Sequence, residues 1–89
     1  MRIHVKLGEP LWRAVGSRRL SLEWLDRDGV SVETVLARLA VMYSAFHAAY
    51  GRHSYRLFID AAPVTPDRRE LVDGQTLFIM LPAIGGSSG

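Results

Sequence analysis

One amphipathic helical pattern in the middle of the chain most constrains the fold. Ser31 is a good N-cap, and Gly51 is a natural stop, so the sequence predicts a helix over about residues 32–50. The apolar residues between these signals follow the spacing of a single buried helix face: Val32, Val35, Leu36, Leu39, Tyr43 and Phe46. A helix with one apolar stripe must bury that stripe against other elements of the fold. The segments before and after this helix are short, so they must supply the surface on which it packs.

Alternating segments lie on both sides of the helix and predict two strands before it and two after it. The inward residues of these four segments are Ile3, Val5 and Leu7; Leu20, Leu22 and Trp24; Leu57 and Ile59; and Leu77 and Ile79. The connection between the first two segments contains a predicted helical turn over residues 11–15, which Gly16 ends. Residues 61–64 are predicted to be a turn, and residues 65–74 a loop.

This element order predicts an α+β domain in which one main helix covers one face of a mixed ββαββ sheet. The last strand is expected to lie beside the first, in parallel, at the centre of the sheet. Such an arrangement is a β-grasp, as in ubiquitin-like proteins. The length of 89 residues allows one domain, and we expect this domain to span residues 1–84, with a flexible tail over residues 85–89.

Composition narrows the chemistry. The chain has no cysteine, which excludes disulfides, a thiolate metal site and a cysteine nucleophile on this chain. Its three histidines have no ligand spacing, and no serine–histidine–acid arrangement or phosphate loop appears, so we expect no metal, no bound cofactor and no enzymatic activity.

Charge and hydropathy bear on partners and location. The net charge is only +2, and the arginine pairs at 18–19 and 68–69 are isolated, so a nucleic-acid partner is not expected. No apolar run approaches the roughly 18 residues of a membrane span, and residue 1 leads directly into a strand-like segment without a signal peptide. The expected location is therefore the cytoplasm, with no membrane partner.

The end of the sequence carries the feature that points to a function. An Asp73-Gly74 turn leads into the last strand, Pro82 ends that strand, and Gly85-Gly86 follow before Ser87-Ser88-Gly89. A peptide without side chains can enter a narrow active-site channel that a folded domain cannot enter, because glycine permits close approach of the backbone.

The chain resembles the MoaD/ThiS-type sulfur carriers, the ubiquitin-like small proteins of molybdopterin and thiamine biosynthesis. Four stretches carry the resemblance: residues 11–16, residues 32–39, residues 58–60, and residues 71–77 through Gly85-Gly86. The fourth stretch is the most specific, because turn, strand, proline and diglycine occur together at the family's distances. Two departures are Gln75, where the family usually has a second aspartate, and Leu81-Pro82, where it commonly has two prolines.

The resemblance implies a carrier protein that partner enzymes activate. An ATP-dependent activating enzyme would adenylate the carboxylate of Gly86, and sulfur would then convert it to a thiocarboxylate for a sulfur-accepting synthase subunit. The alternative is a bacterial ubiquitin-like protein modifier, joined through Gly86 to amines of a conjugation target. A third reading is a non-covalent β-grasp interaction domain with an inert tail. Lys6 is the only lysine, which argues against extensive conjugation of the chain to itself.

In that family the second glycine is the C-terminus, whereas here Ser87-Ser88-Gly89 follow it. Three explanations remain open. The chain is a precursor that a processing protease, for example a metalloprotease, cuts between Gly86 and Ser87; or the three residues are a cloning remnant or linker; or Gly89 is itself the reactive end.

A patch for the activating enzyme is expected beside the tail. Successive strand residues point to opposite faces, so Phe58, Phe78 and Met80 should face outward when their neighbours face the helix. Together with Leu81 they form the predicted partner-binding patch, since large exposed apolar patches usually mark interaction sites. The first strand places Arg2, His4 and Lys6 on the same face, where they are candidates for steering an acidic partner.

Overall fold

The computed structural model describes residues 1–25, 29–65 and 69–81 of the chain. These residues form five strands and three helices, which in chain order are β1 (Arg2–Leu7), α1 (Leu11–Val15), β2 (Arg19–Glu23), α2 (Val32–Met42), α3 (Ser44–Tyr50), β3 (Arg56–Ile59), β4 (Ala62–Val64) and β5 (Thr76–Met80).

The strands form one sheet in the order β2-β1-β5-β3-β4. Strands β1 and β5 pair in parallel, with Val5 beside Leu77, and every other pair is antiparallel. The first and last strands therefore lie together in the middle of a mixed sheet. This confirms the predicted α+β fold of the β-grasp type.

The core lies between the helices and one face of the sheet. Alternate residues of the central strands are fully buried, as Val5, Leu77 and Ile79 show. Leu39 from α2 and Phe46 from α3 belong to the same apolar cluster. All the described helices thus cover one side of the sheet, and the predicted inward residues of β1, β3 and β5 are confirmed.

The predicted continuous helix over residues 32–50 is wrong in one respect, because it is broken at Tyr43. The N-cap is as predicted: Ser31 Oγ accepts from the N–H of Thr34 at 3.2 Å. Tyr43, however, is extended, with φ of −133° and ψ of 99°. One straight helix over that range would be roughly 28 Å long at 1.5 Å per residue, whereas strands of five to six residues span only about 20 Å. Phe46, which lies beyond the break, is buried in the core.

Residues 62–64 form the short edge strand β4 rather than the predicted turn. The turn lies just before it, where Asp60 and Ala61 have φ of 49° and 71°. Strand β4 then pairs with β3, with Phe58 opposite Pro63. The prediction failed because proline usually ends strands, and it is tolerated here because β4 lies at the edge of the sheet.

Candidate docking surface and the end of the central strand

Strand β5 leads directly to the residues of the candidate reactive tail. It is held from both sides, by β1 in parallel and by β3 in antiparallel pairing. The pairing with the β1 side extends to the last residues of β5, because the N–H of Gly8 donates to the carbonyl of Ile79 at 2.8 Å. The strand that precedes the candidate tail is therefore paired on both sides up to its last residues.

The Asp73-Gly74 turn attaches the beginning of β5 to the beginning of β1. Asp73 Oδ1 accepts from the backbone N–H of Arg2 at 2.6 Å. The N–H of Gly74 donates to the carbonyl of Arg2 at 2.8 Å. Gly74 has φ of 89°, a value that side chains disfavour. The turn motif seen in the sequence thus fixes the alignment of the two central strands.

Gln75, which departs from the resembled family's pattern, has a defined role in this turn. Its Oε1 accepts from the N–H of Val72 at 2.7 Å. Its Nε2 donates to Asp60 Oδ2 at 3.1 Å. An aspartate side chain would be one methylene shorter and would have no N–H to donate to another carboxylate. Glutamine in place of the family's usual aspartate is therefore accompanied by an acceptor, Asp60, for the N–H of its amide.

The predicted outward residues do lie on the sheet face opposite the helices. Phe58 and Phe78 are directly opposite each other on β3 and β5, and Met80 is opposite Arg56. All three apolar side chains are half-buried, as is Leu81. The structure thus brings Phe58, Phe78 and Met80 to one face, and Leu81 follows directly after Met80. Their role in partner binding remains a prediction.

Two of the three polar residues predicted to steer a partner are engaged by neighbours. Arg2 Nη2 lies 2.6 Å from Glu23 Oε2, and this hydrogen bond, helped by the charge of Glu23, raises the pKa of Arg2 above its ordinary value. His4 Nδ1 lies 2.9 Å from Ser21 Oγ. Lys6 instead lies over the Phe78 ring, with Nζ 5.0 Å from the ring centre. Of the three, Lys6 is the one beside the apolar patch.

Further cations that the sequence did not assign to this face surround the same patch. Arg19 lies opposite Lys6 on β2, and Arg56 lies opposite Met80 on β3. Arg18 joins Lys6, Arg19 and the two apolar residues Phe78 and Met80 in lining an open pocket of about 250 Å³. The strand register alone brings them together, and register between strands is not visible in local sequence patterns.

The remaining predicted site residues are Pro82, Gly85, Gly86 and Ser87, and they lie outside the described residues. Within residues 1–25, 29–65 and 69–81 no three His, Cys, Asp or Glu side chains are grouped so as to hold a metal ion. In the same residues, no helix has the length and hydropathy needed to cross a membrane.

Comparisons with known proteins agree with this architecture. No protein-family model and no curated protein sequence matches the chain. Among solved structures, SAMP1 from Haloferax volcanii superposes with a TM-score of 0.78 at 15% identity, over 100% of both chains. A Pyrococcus furiosus protein assigned as subunit 1 of molybdopterin converting factor gives a TM-score of 0.77 at 15% identity, over 92% of this chain and 98% of the other.

A further crystal structure, of small archaeal modifier protein 1 from H. volcanii, gives a TM-score of 0.70 at 17% identity, over 91% of this chain and 97% of the other. At such low identity the likeness concerns the fold. The resemblance drawn from the sequence is therefore confirmed at that level: this chain is similar in structure to ubiquitin-like β-grasp proteins of the MoaD and small-modifier type.

Proposed function

We propose that this chain is a ubiquitin-like sulfur carrier that reacts at Gly86 after residues 87–89 have been removed. The observation that carries the proposal is the position of β5, which is central and paired on both sides. The segment beyond β5 contains Pro82 and then Gly85-Gly86. A rigid domain that ends in such a segment suits delivery of a terminal carboxylate to another protein's active site.

The chemistry proceeds in two steps in which partner enzymes supply the catalytic groups. A carboxylate oxygen of Gly86 attacks the α-phosphorus of ATP, and pyrophosphate leaves. Hydrosulfide, supplied by a sulfur-donating partner, then attacks the acyl carbon and AMP leaves, so that sulfur replaces one carboxylate oxygen. ATP is bound and used by the activating enzyme, and this chain acts as its co-substrate rather than as an enzyme.

The extension Ser87-Ser88-Gly89 must be removed before this chemistry starts. While the Gly86 carbonyl is part of a peptide bond to Ser87, it has no carboxylate to adenylate. Hydrolysis of that bond by a processing protease, with a metalloprotease as the proposed class, releases the reactive end. The same extension also fits a cloning remnant, in which case the mature chain ends at Gly86 without processing.

The second candidate is a protein modifier that is activated in the same way and then transferred from Gly86 to an amine of a target. The similarity of its fold to small archaeal modifier protein 1 favours it. The single lysine bears on this candidate: Lys6 Nζ lies against the Phe78 ring within a paired strand. For this candidate we therefore expect single attachments to other proteins rather than chains built on Lys6.

Intact mass of the protein purified from its native cell tests both candidates. A chain that ends at Gly86 with one oxygen replaced by sulfur supports the sulfur carrier. Heavier species that disappear on deletion of Gly86 support the modifier. A chain that always retains residues 87–89 and gives neither product contradicts both and leaves a non-covalent interaction domain.

A matched pair of chains separates processing from activation. The full sequence and a version with a stop after Gly86 are each incubated with ATP and a purified activating enzyme of the MoaD/ThiS-partner type. ATP–pyrophosphate exchange is expected only with the version that ends at Gly86. Exchange of equal rate with the full sequence would contradict the assignment of Gly86 as the reactive end.

A further inference from the structure

We propose that the groove between α1 and α3 is a binding site for the chain's own C-terminal segment, with Ile84 seated in the groove and the terminal carboxylate of Gly86 beside Arg52. The α1–α3 groove has a volume of about 310 Å³, and its lining includes Pro10, Ala14, Ala45, Ala48, Arg52 and His53. It lies on the helix side of the sheet, opposite to the predicted partner-binding patch. The seat for Ile84 is independent of the proposed function, whereas the carboxylate contact rests on the proposed removal of residues 87–89.

The α3 wall of the groove is an exposed surface without charge. The solvent side of a surface helix normally carries charged and polar side chains. Here residues 39–51 contain no Asp, Glu, Lys or Arg, and Ala45 and Ala48 are exposed. Helix α3 packs on the core through Phe46 and lies against α1. The groove between the two helices is therefore apolar, and its volume is near the lower end of ligand pockets, which suits one or two side chains.

A cation without an anionic partner follows the apolar part of the groove. Arg52 comes just after α3 and is exposed. Within residues 1–25, 29–65 and 69–81, no carboxylate forms an ion pair with Arg52, whereas Arg13 on α1 is paired with Glu9. An apolar groove beside an unpaired cation is complementary to an apolar side chain that is followed closely by a carboxylate.

The C-terminal sequence has this order of groups. Residues 82–86 lie outside the described residues, and their sequence is Pro-Ala-Ile-Gly-Gly. Ile84 is the only large apolar side chain among them. When the chain ends at Gly86, a carboxylate follows two residues after Ile84, and Gly85 between them has no side chain to keep the backbone away from a guanidinium group.

The α1 wall of the groove begins beside the end of β5. A β-carbon on Gly8 would lie only 3.0 Å from the β-carbon of Met80. Pro10 follows Gly8 by two residues, which span at most about 7 Å. Residues 81–84 span up to about 14 Å when extended. Ile84 is therefore within reach of the groove without any change in the sheet.

The α3 wall also begins near this point. Arg56, the first residue of β3, is opposite Met80, and His53 precedes it by only three residues. A short tether that spans its two sites gives an effective concentration in the millimolar range. Even a weak contact is then populated within one molecule, which favours the chain's own segment over a second copy as the occupant.

Docking and activation exclude each other. A segment seated between α1 and α3 is not extended into the active site of an activating enzyme, so only the undocked fraction is competent to react. The apparent affinity for that enzyme falls in proportion to this fraction. The groove thus holds the reactive end until a partner displaces it.

A spin label tests where the segment lies. Because the chain has no cysteine, Ala83→Cys provides a single site for a nitroxide in the ¹⁵N-labelled chain that ends at Gly86. The label should broaden the amides of Ala45 and Ala48, and Ile84→Ser in the labelled chain should reduce this broadening several-fold, since the apolar contact is lost. Broadening that is the same with Ile84→Ser would overturn the proposal. Equal broadening in a mixture of labelled and ¹⁵N-labelled molecules would make a second copy the occupant and would overturn it as well.

Two pairs of variants change the groove and a matched position elsewhere. Ala48→Gln fills the groove with a neutral side chain, and Ala37→Gln makes the same change at an exposed position of α2. Only Ala48→Gln should reduce the broadening several-fold. Arg52→Gln should lower the docked population about twofold, the effect of one exposed charge pair, whereas Arg19→Gln on β2 should leave it unchanged. Equal effects within either pair would contradict the assigned contacts.

ATP–pyrophosphate exchange with the activating enzyme measures the consequence of docking separately. Below saturation, Ala48→Gln should raise the exchange rate about twofold over Ala37→Gln, because it increases the undocked fraction. Equal rates would overturn the exclusion of activation by docking. Absence of exchange with every version would contradict the proposed function instead, while the spin-label result would still decide whether the segment binds the groove.

Discussion

Gln75 joins two turns that lie far apart in the sequence, because its Nε2 donates to Asp60 Oδ2 at 3.1 Å while its Oε1 accepts from the N–H of Val72 at 2.7 Å. Asp60 follows β3, and Gln75 precedes β5. Since β3 and β5 are antiparallel neighbours, the end of β3 and the beginning of β5 lie at the same end of the sheet, and so do the two turns. One side chain therefore closes the turn that leads into β5 and ties it to the β3–β4 turn.

Gln75→Ala should lower the free energy of unfolding by about 1 kcal/mol, because it removes both hydrogen bonds and each contributes roughly 0.5–1.5 kcal/mol, with the lower end expected for exposed groups. Chemical denaturation monitored by tryptophan fluorescence measures the change.

Gln75→Glu separates the two bonds of this side chain. It keeps an acceptor for the N–H of Val72 but places a carboxylate against that of Asp60. The two carboxylates repel each other while both are ionised, so the loss of stability should be present near neutral pH and should shrink at acidic pH, where the charges are neutralised. A deficit that is independent of pH would show that the contact with Asp60 is not made.

Ala61→Gly should stabilise the protein by up to about 1 kcal/mol, because Ala61 has φ of 71°, where a β-carbon is strained and glycine is not. The gain is reduced by the greater freedom of glycine in the unfolded chain. Thermal melting checks the sign. Ala62→Gly is the matched control. Ala62 lies in β4, so the same replacement there should lower the stability of the protein or leave it unchanged. An equal response at both positions would contradict the strain at Ala61.

Gly8→Ala should destabilise the end of β5 by about 1 kcal/mol, the lower range for overpacking. A β-carbon on Gly8 would lie 3.0 Å from the β-carbon of Met80, so one strand must shift by a few tenths of an ångström. Hydrogen exchange at the amide of Gly8, which donates to the carbonyl of Ile79 at 2.8 Å, should become faster.

The crowding between residues 8 and 80 can be tested with a double-mutant cycle. Met80→Ala retains the β-carbon and should not relieve the crowding. Met80→Gly removes it and should reduce the cost of Gly8→Ala. Equal costs of Gly8→Ala in the two backgrounds would assign the effect to something other than this contact.

Local patterns in the sequence predicted most of the sheet and the core, but not the places where distant segments adjust to one another. The alternation in β1, β3 and β5 was sufficient to place Leu77 and Ile79 inside, because burial alternates with a period of two. The break at Tyr43 leaves no local signal, since neither glycine nor proline stands there and the apolar spacing continues. It follows from the mismatch between the length of the helix and the height of the sheet.

For the candidate site, too, the sequence predicted local features but not contacts between distant segments. The sequence indicated Phe58, Phe78 and Met80 as outward residues, because strand alternation is a local property. It did not indicate Arg19 or Arg56 as their neighbours. These contacts depend on how β2 pairs with β1 and how β3 pairs with β5, and such alignments are set by turn geometry and by packing of the whole core.

Alanine substitutions at two consecutive residues of β5 should have opposite effects: one should mainly lower stability, and the other should mainly weaken partner binding. Ile79 is 0% exposed, so Ile79→Ala should cost about 2–5 kcal/mol. Phe78 is half-buried on the outer face, so Phe78→Ala should cost clearly less, while weakening binding of the chain to the activating enzyme of the proposed function. Urea denaturation measures the loss of stability, and a binding titration with the purified activating enzyme measures the loss of affinity. A larger loss of stability at residue 78 than at residue 79 would mean that the outer face is part of the core.

Ionisation of Tyr50 should lower the stability of the protein at alkaline pH. The Tyr50 ring is stacked between Phe46 and Tyr55, with centre-to-centre distances of 5.5 Å and 5.4 Å. Burial raises the pKa of the Tyr50 hydroxyl above its ordinary value of 10.0. The folded state therefore keeps this proton to a higher pH than the unfolded state does. The stabilisation is complete below the unfolded pKa and is lost as the pH rises through the folded one.

Tyr50→Phe keeps the stacked ring and removes the titrating group, which makes it the matched variant for this effect. The free energy of unfolding, measured by denaturant titration from about pH 8 to about pH 11, should fall more steeply in the unsubstituted protein than in the variant. Tyr55, whose pKa burial also raises, titrates in both proteins and cancels in the comparison. Parallel pH profiles of the two proteins would show that the Tyr50 hydroxyl remains as accessible to water in the folded state as in the unfolded chain.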